Sequence, residues 1–432
     1  MRTLNFPNHN KRTILALGAE SAGNFSIYKN GKIYFSADFG DLLEENNFIA
    51  FKKAVLVFLK KEKITPDIIL TDLHPLMKTT LWGEELAQKY SAKGGSASGG
   101  KAEHIQVQHH HAHIFSAIGD YLSPSSVPRG GLGRGSGNLP NTLFTIAMDG
   151  TGYGEDEKIW GGEIFKVTSK PSPLVLRGRC PVLRTEGVRV ERIGHLENQT
   201  MIGGELAIRE PARILIAILS KFLSKKEVFN FVKKYYSKNE FELLHSQLGQ
   251  NFNCLETSST GRILDAISLL LGFCGNVRKY KHEPIDLLEK NSTEPYIFKP
   301  IIENNILQTT PLFAYLIKNI HQNKKRLAAT AQLYIAKGLH EIIQSYCHPE
   351  RSLYSDAVEG SANEHYQQCH KADSSTSLRS AQNDSIFFSG GLASNKIISV
   401  YLESQGAYAS KIVPRGDNGL SFGQIVYYLL KK

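Results

Sequence analysis

The stretch TILALGAESAGNFSIYKNGKIYFSADFG, residues 13–40, carries the pattern that decides the fold. An apolar run is followed by a small polar loop and then by two alternating segments that meet at Asn30-Gly31. Asn-Gly between alternating segments is typical of a two-residue β-hairpin, because both turn positions need a positive φ. The stretch therefore predicts a strand, a loop and a hairpin.

A similar order of elements returns later in the chain. Residues 141–167 predict a strand NTLFTIAM, a loop DGTGYG at 149–154 and a second extended run IWGGEIFKV. A partial third copy, residues 386–404, predicts a strand, a Gly-Gly turn and a helix that opens near Ser394. Strand and hairpin units separated by helical sequence favour an internally duplicated α/β protein, and glycine-rich turns at strand ends can approach a phosphate closely. We therefore expect a nucleotide between the two halves.

Composition excludes several classes of protein. The 432 residues contain no long uncharged apolar run, and the first residues lack the apolar core and cleavage site of a secretory signal, so we predict a cytoplasmic protein. The net charge of +10 would suit an anionic ligand or nucleic acid, but lysines on solvated helix faces explain it equally well. The five cysteines are odd in number and widely scattered, so they form neither a disulfide framework nor a zinc module. They are Cys180, Cys254, Cys274, Cys347 and Cys369.

The chain divides into two predicted subdomains with inserted segments. The first covers residues 1–140 and the second residues 141–432. Flexible loops rich in Gly, Ser and Pro are predicted near 91–101 and 123–140, and a disordered insert is predicted near 348–384. The second subdomain also carries helical insertions. Helical tracts are predicted at 213–236, 261–271 and 326–346.

The segment VQHHHAHIFSAI, residues 107–118, is a candidate metal site. His109 and His113 stand four residues apart, so on a helix both imidazoles project from one face, as a single metal ion requires. Asp149 and Asp417 each adjoin a glycine-containing loop and are candidate carboxylate ligands. The alternatives are a helix terminus with solvated histidines, a turn-forming role for Asp149 and a helix N-cap role for Asp417.

Several motifs together resemble a known family. VQHHHAHI, MDGTGYGEDEKIWGGEIF, GGELAIREPAR, GRILDAISLLLG, FSGGLASN and PRGDNGLSFGQ occur in the order, and near the spacing, of the C-terminal carbamoyltransferase region of HypF, a maturation protein of [NiFe]-hydrogenases. TDLHP at 71–75 is also similar to that family. The resemblance implies an ASKHA fold, which is the actin and Hsp70-like pair of RNase-H-like subdomains with a metal and an adenylate in the cleft between them.

The resemblance also implies a set of site residues. The metal, iron or zinc, would be held by His109, His113, Asp149 and Asp417. Carbamoyl-adenylate or AMP would be the bound nucleotide. Its implied contacts are Gly150, Thr151 and Gly152 near the phosphate, Gly204 and Glu205 near the ribose, Gly390, Gly391 and Asn395 near the adenosine, and Asp265 at a position that the resemblance leaves open.

The activity implied by the resemblance is a carbamoyl transfer. Carbamoyl-adenylate carbamoylates the C-terminal cysteine thiol of the partner protein HypE, and this group later becomes cyanide on the hydrogenase iron. Because the partner supplies the nucleophile, we expect no catalytic Ser or Cys in this chain. HypF normally begins with an acylphosphatase-like domain, a zinc region and a YrdC-like domain, whereas this sequence starts almost directly at the transferase region. We therefore expect that a separate polypeptide supplies the adenylate-forming activity, or that the gene is split or decayed.

Departures from the family pattern leave two alternative functions open. Glu205 stands where the family usually has Asp, Asn418 where Gly is more usual, and Ser21 where a lysine is typical. The first alternative is a tRNA threonylcarbamoyladenosine transferase, which the basic charge would suit, although its H-M-E-G-H motif is absent. The second is a non-catalytic adenylate-binding subunit. We expect neither a membrane nor nucleic acid as a partner.

Overall fold

The computed structural model describes residues 1–6, 8, 10–92, 102–123, 139–169, 187–347 and 385–431. The insert predicted at 348–384 lies outside the described residues, as do most residues of the two predicted flexible loops. Within the described ranges, none of the helices combines the length and the apolar character that crossing a membrane requires.

The first sheet contains the predicted hairpin. Its strands are β1 (Arg2–Asn5), β2 (Ile14–Ala16), β3 (Ser26–Lys29), β4 (Lys32–Phe35), β5 (Ile68–Asp72) and β6 (Glu103–Val107). They lie in the order β1-β4-β3-β2-β5-β6, with β2, β3 and β4 antiparallel and β5 and β6 parallel to β2. Positive φ angles of 49° at Asn30 and 77° at Gly31 form the turn between β3 and β4, which confirms the hairpin.

The second sheet repeats this arrangement. Its central strands are β7 (Thr142–Tyr153), β8 (Ile159–Ser169), β9 (Val188–Leu196), β14 (Ser385–Ser389) and β15 (Tyr408–Ala409), in the order β9-β8-β7-β14-β15. That order, an antiparallel meander followed by two parallel strands, matches β4-β3-β2-β5-β6 of the first sheet. The predicted duplicated α/β fold is confirmed. Shorter strands at the periphery are β10 (Gln199–Ile202), β11 (Cys254–Thr257), β12 (Ile302–Glu303) and β13 (Ile306–Leu307).

One local prediction in this sheet is wrong. The sequence DGTGYG predicts a loop at 149–154, but β7 continues through Tyr153. Gly152 and Tyr153 still pair with Trp160 and Ile159 of β8, beyond an irregularity in register that begins at Met148. The bulged strand keeps the segment paired while it bends the backbone next to Asp149.

Helices connect the strands and fill the space around them. They are α1 (Glu45–Lys61), α2 (Lys78–Ala92), α3 (His109–Leu122), α4 (Leu206–Arg209), α5 (Ala212–Leu219), α6 (Lys225–Val232), α7 (Lys238–Gly249), α8 (Thr260–Leu271), α9 (Glu283–Lys290), α10 (Thr310–Lys318), α11 (Lys324–Cys347), α12 (Lys396–Ser404) and α13 (Leu420–Lys431). The tracts predicted at 261–271 and 326–346 lie in α8 and α11. The tract predicted at 213–236 is interrupted, because Ser224 and Glu227 form a capping box that starts a new helix, α6.

Two helices form a layer between the sheets. α3 and α13 pack against each other, α13 contacts the first sheet, and α3 contacts β7 and β14 of the second. One apolar cluster joins all of these elements and includes Ile14, Phe115, Ala147, Phe165 and Phe422. Burial of this apolar surface holds the two sheets together around the helices. As a result, the first turn of α3 lies between the two halves of the molecule. The boundary between subdomains near residue 140 stays a prediction.

Candidate metal centre

The first turn of α3 presents two imidazoles on the same face. The helix starts at His109, directly after β6, and the Gln108 side chain caps it by accepting a hydrogen bond from the His111 backbone N–H at 2.8 Å. The rings of His109 and His113 are 4.9 Å apart between centroids, and both side chains are buried. Local helix geometry therefore brings these two side chains together, as the four-residue spacing predicts.

Two aspartates from distant parts of the chain meet these imidazoles. Asp149 Oδ2 lies 3.0 Å from His109 Nε2 and 3.4 Å from His113 Nε2. Asp417 Oδ1 lies 3.3 Å from His113 Nε2 and 3.9 Å from His109 Nε2. One potential ligand atom from each of the four side chains falls within 4.8 Å of all the others. The structure thus brings all four predicted ligands into one cluster, which we call the metal centre.

Backbone donors hold the Asp149 carboxylate in this orientation. Its Oδ1 accepts hydrogen bonds from the backbone N–H of Gly150 at 2.7 Å and of Gly391 at 3.4 Å. The segment Gly390-Gly391 can approach Asp149 closely because Gly390 has a φ of 110° and no Cβ. A Cβ at this position would lie 2.0 Å from the Met148 carbonyl oxygen. These two glycine segments, residues 150–152 and 390–391, therefore fix Oδ1 of Asp149 and leave its Oδ2 facing the imidazoles.

Asp72 is a further member of the site whose role the sequence did not predict. Its Oδ2 lies 2.6 Å from His109 Nδ1, and its Oδ1 accepts a hydrogen bond from the His74 backbone N–H at 3.0 Å. A carboxylate at Nδ1 keeps the proton on that nitrogen and leaves the Nε2 lone pair for the cluster. The TDLHP motif contains this residue, and its position at the end of β5, beside the strand that leads into α3, is the signal that could have identified it.

Electrostatics within the cluster favour a positive charge at its centre. Burial lowers the pKa of His109, but Asp72 and Asp149 outweigh it and raise that pKa well above the usual value. Burial raises the pKa of Asp149, but its contacts with His109 and His113 outweigh it and hold that pKa well below the usual value. The Asp149 carboxylate is therefore ionised, and either a protonated imidazole or a cation bound by the cluster balances its negative charge.

The other two histidines of the segment have different surroundings. His110 is buried near Trp160, and burial holds its pKa well below the usual value, so the ring is neutral. A Cβ on Gly152 would lie 2.3 Å from His110 Cε1, so that position must be glycine for the ring to fit. His111 packs against Phe165 and Tyr427, and burial lowers its pKa to about 4. Both rings are packing residues of the α3 layer.

The predicted nucleotide contacts fall in several places. Gly150, Gly390 and Gly391 lie against Asp149 beside the metal centre, and Thr151 is exposed next to them. Asn395 caps α12 by accepting from the Ile398 N–H, and it donates to Gln332 Oε1 at 2.7 Å.

The remaining predicted contacts lie elsewhere. Gly204 has a φ of 59°, lies near Asn253 and precedes the exposed Glu205 at the start of α4. Asp265 is buried between Arg262 and Arg278. Their contacts with a nucleotide stay a prediction.

Comparison with known proteins gives consistent matches across the chain. The family model described as "HypF Kae1-like domain" matches residues 9–120, and the one described as "Carbamoyltransferase, Kae1-like Domain, second subdomain" matches residues 145–173 and 180–354. A probable carbamoyltransferase HypF of Methanocaldococcus jannaschii is 32% identical over 98% of this chain and 47% of its own length. Carbamoyltransferase HypF of Synechocystis is 27% identical over 70% of this chain and 35% of its own length.

Solved structures show the same fold. The crystal structure of T. kodakarensis HypF superposes with a TM-score of 0.73 at 26% identity and covers 99% of this chain and 49% of that one. A full-length HypF in its phosphate- and nucleotide-bound form superposes with a TM-score of 0.71 at 22% identity and covers 99% of this chain and 47% of that one.

The strand order and the cluster between the sheets define the class of this protein as an ASKHA-type fold with two RNase-H-like halves. Within that class the matches are to one kind of protein along nearly the whole chain. The chain belongs to the HypF family, where it corresponds to the C-terminal Kae1-like region of the carbamoyltransferases. It spans about half the length of the M. jannaschii relative.

Proposed function

We propose that this chain transfers a carbamoyl group from carbamoyl-adenylate to the C-terminal cysteine thiol of HypE, the step that provides the cyanide ligand for [NiFe]-hydrogenase maturation. A YrdC-like activity supplies the adenylate. The observation that carries the proposal is the metal centre itself: two histidines and two aspartates meet between duplicated sheets, directly beside glycine segments, in a chain of the HypF family. The family match alone would leave open whether the site is intact.

The residues of the metal centre fit a divalent cation, iron or zinc. Imidazole and carboxylate ligands suit both metals. His113 Nε2 and Asp417 Oδ1 are buried and lack a hydrogen-bond partner among the described residues, although they are only 3.3 Å apart. Buried polar atoms of this kind are expected to have a partner, and a cation held by all four side chains would provide it. When bound, the metal supplies Lewis acidity to carbamoyl or phosphate oxygens.

The side chains and backbone of this chain orient the reaction. Asp72 sets the tautomer of His109, and backbone N–H groups of Gly150 and Gly391 set the orientation of Asp149. Glycine segments of this type bind phosphate because no Cβ hinders the approach to their N–H groups. In the proposed complex the adenylate phosphate lies along residues 150–152, the ribose near residues 204–205, and the adenosine near residues 390–395. Burial of the metal centre limits the access of water, which would otherwise hydrolyse the donor.

The proposed reaction needs a thiol from the partner. The sulfur forms a bond with the carbamoyl carbon, the bond from that carbon to the phosphoryl oxygen breaks, and AMP leaves with the electron pair while the thiol proton passes to solvent. Two cysteines within the described ranges are poorly suited to the role: burial raises the pKa of Cys274 to about 11 and also raises the pKa of Cys254, so both stay protonated near neutral pH.

A direct test supplies the donor externally. Purified chain is mixed with carbamoyl-adenylate and HypE, and the mass of HypE is measured. We expect HypE to gain one carbamoyl group, and a HypE variant without its C-terminal cysteine to gain none. Formation of threonylcarbamoyladenosine on tRNA from the corresponding threonylcarbamoyl donor, with no change in HypE, would instead establish the tRNA-modifying alternative. Binding of AMP without any transfer would establish a non-catalytic adenylate-binding subunit.

The role of Asp72 gives a prediction for metal affinity. Asp72→Asn should weaken metal binding about 10- to 100-fold, because an amide no longer fixes the Nδ1 proton of His109 or raises its basicity. Metal affinity is measured by competition with a chelator of known strength. The matched control is Asp38→Asn, since Asp38 is exposed and accepts a hydrogen bond from the Gly40 N–H, away from the metal centre. Equal affinities in wild type and Asp72→Asn would contradict this role.

A further inference from the structure

A second buried cluster of charges lies on α8 and the loop that follows it. Arg262 Nη2 is 2.8 Å from Asp265 Oδ2, and Arg278 Nη2 bonds to the same oxygen. The side chains of Arg262 and Asp265 are only 4% and 1% exposed. We call the two arginines, together with the Asp265 carboxylate that they share, the arginine pair. None of its members is a ligand in the metal centre.

The arginine pair holds more positive than negative charge. Two guanidinium groups share a single carboxylate oxygen, and Arg262 Nε, Arg278 Nε and Asp265 Oδ1 have no hydrogen-bond partner among the described residues. Burial lowers the pKa of Arg262 to about 10, even though Asp265 acts to raise it. A buried cation is costly unless it is paired and its donors are satisfied. The cluster is therefore incomplete without one more anionic group.

Arg262 of the arginine pair lies beside the metal centre. Arg262 Nη2 is the nearest atom, at 3.7 Å, to the position of a Cβ on Gly150, the residue that follows the ligand Asp149. The start of α8 is fixed there, because Ser259 Oγ donates to the Gly150 carbonyl oxygen at 2.5 Å and a Cβ on Gly261 would lie 2.7 Å from Gly150 Cα. The guanidinium of Arg262 thus faces the glycine segment rather than bulk solvent.

The loop that carries Arg278 contacts the first half of the molecule next to the metal centre. Lys281 Nζ donates to the Ser21 carbonyl oxygen at 3.1 Å, and Ser21 Oγ donates to Asp417 Oδ2 of the metal centre. Arg278 Nη1 donates to the Lys281 carbonyl oxygen at 2.7 Å, which ties the guanidinium to this crossing. Arg262 therefore lies next to Gly150, and Arg278 is linked through Lys281 to Ser21, so both guanidiniums belong to segments that border the metal centre.

We infer that Arg262 and Arg278 bind an anionic phosphoryl oxygen of a ligand that lies beside the metal centre, and that Asp265 is a positioning residue that holds the two guanidiniums without touching the ligand. The planar guanidinium fork matches phosphate geometry, and the absent side chain at Gly150 leaves space for the phosphoryl group to approach. A carboxylate at Asp265 in direct contact with a phosphate would be repelled by it. The inference rests on the proposed function for the identity of the ligand, an adenylate.

The test compares AMP with adenosine, which lacks the phosphoryl group. Affinities are measured by calorimetry on the whole chain, with and without added metal. Wild type should bind AMP at least about tenfold more tightly than adenosine, and Arg262→Gln should remove most of that preference while it changes adenosine affinity by less than about twofold. Arg262→Lys should give an intermediate preference, since it retains the charge but not the fork. The control is Arg326→Gln, because Arg326 contacts Glu294, Pro295 and Tyr296 instead.

Folding and function are separated by further variants. Arg262→Gln combined with Asp265→Asn removes one charge of each sign, so a folded double variant should still lose the AMP preference. Loss of AMP and adenosine affinity in equal measure, or an unchanged AMP preference in a folded Arg262→Gln protein, would overturn the inference. If the AMP preference depends on Arg262 while HypE gains no carbamoyl group, the phosphoryl site stands and the proposed carbamoyl transfer fails.

Discussion

Replacement of His109 or His113 by alanine should abolish metal retention and carbamoyl transfer to HypE. Loss of an outer partner such as Asp72 costs about 10- to 100-fold in metal affinity, so loss of a direct ligand should exceed about 100-fold. The carboxylate oxygens of Asp149 and Asp417 lie within 4 Å of the imidazoles. Removal of one imidazole therefore leaves part of their negative charge uncompensated. Metal content after dialysis, measured by plasma mass spectrometry, reports retention.

The matched control for these variants is His111→Phe. His111 lies in the same turn of α3 but packs against Phe165 and Tyr427, and phenylalanine preserves those ring contacts. The control should keep its metal and its transfer activity. Full metal retention in both His109→Ala and His113→Ala would show that these imidazoles are not ligands.

The second large effect is expected at Gly423, where α13 crosses α3. A Cβ at this position would lie 1.8 Å from the Ala112 carbonyl oxygen and 2.9 Å from the Ser116 backbone nitrogen. Both contacts are with backbone atoms, which cannot rotate away as a flexible side chain could. Gly423→Ala should therefore force the helices apart and lower the free energy of unfolding by about 3 kcal/mol or more. Denaturant unfolding followed by circular dichroism measures this loss.

The same substitution should weaken metal binding. Asp417 lies just before α13, so a shift of that helix moves its carboxylate away from His113. The control is Gly249→Ala, because Gly249 is helical and has no atom within 4 Å of its Cβ position. That control should be as stable as wild type, or more stable by up to about 1 kcal/mol. Equal stability of Gly423→Ala and wild type would contradict the packing described for α3 and α13.

Local chemistry explains which parts of the fold could be predicted. The hairpin at Asn30-Gly31 is encoded by residues that accept positive φ, so the sequence pattern was sufficient. The segment 149–154 looks like a loop because it is rich in glycine, but its pairing with β8 keeps it in the sheet. That pairing is a tertiary contact, and propensity alone does not contain it.

The site shows the same division between local and tertiary information. His109 and His113 could be paired from helical spacing alone. Asp149 and Asp417 were candidates because each adjoins a glycine-containing loop, and the resemblance to a family then placed them with the histidines. Asp72 stands 37 residues before His109, and only the parallel pairing of β5 with β6 brings it to the imidazole. The position of Arg262 near Gly150 likewise depends on how α8 packs against β7. Contacts of this kind depend on which strands and helices pack together, and only the position of Asp72 at a strand end gives a hint of its contact in the sequence.

The measurement that tests the central claim most directly is a single-turnover transfer assay at known metal content. The chain is stripped of metal, reloaded to graded occupancy with iron or zinc, and mixed with carbamoyl-adenylate and HypE. The amount of carbamoylated HypE should rise in proportion to occupancy, and His113→Ala should stay inactive at the metal concentrations that activate the wild type. Full transfer by the metal-free chain, or no transfer by a fully loaded one, would contradict the central claim.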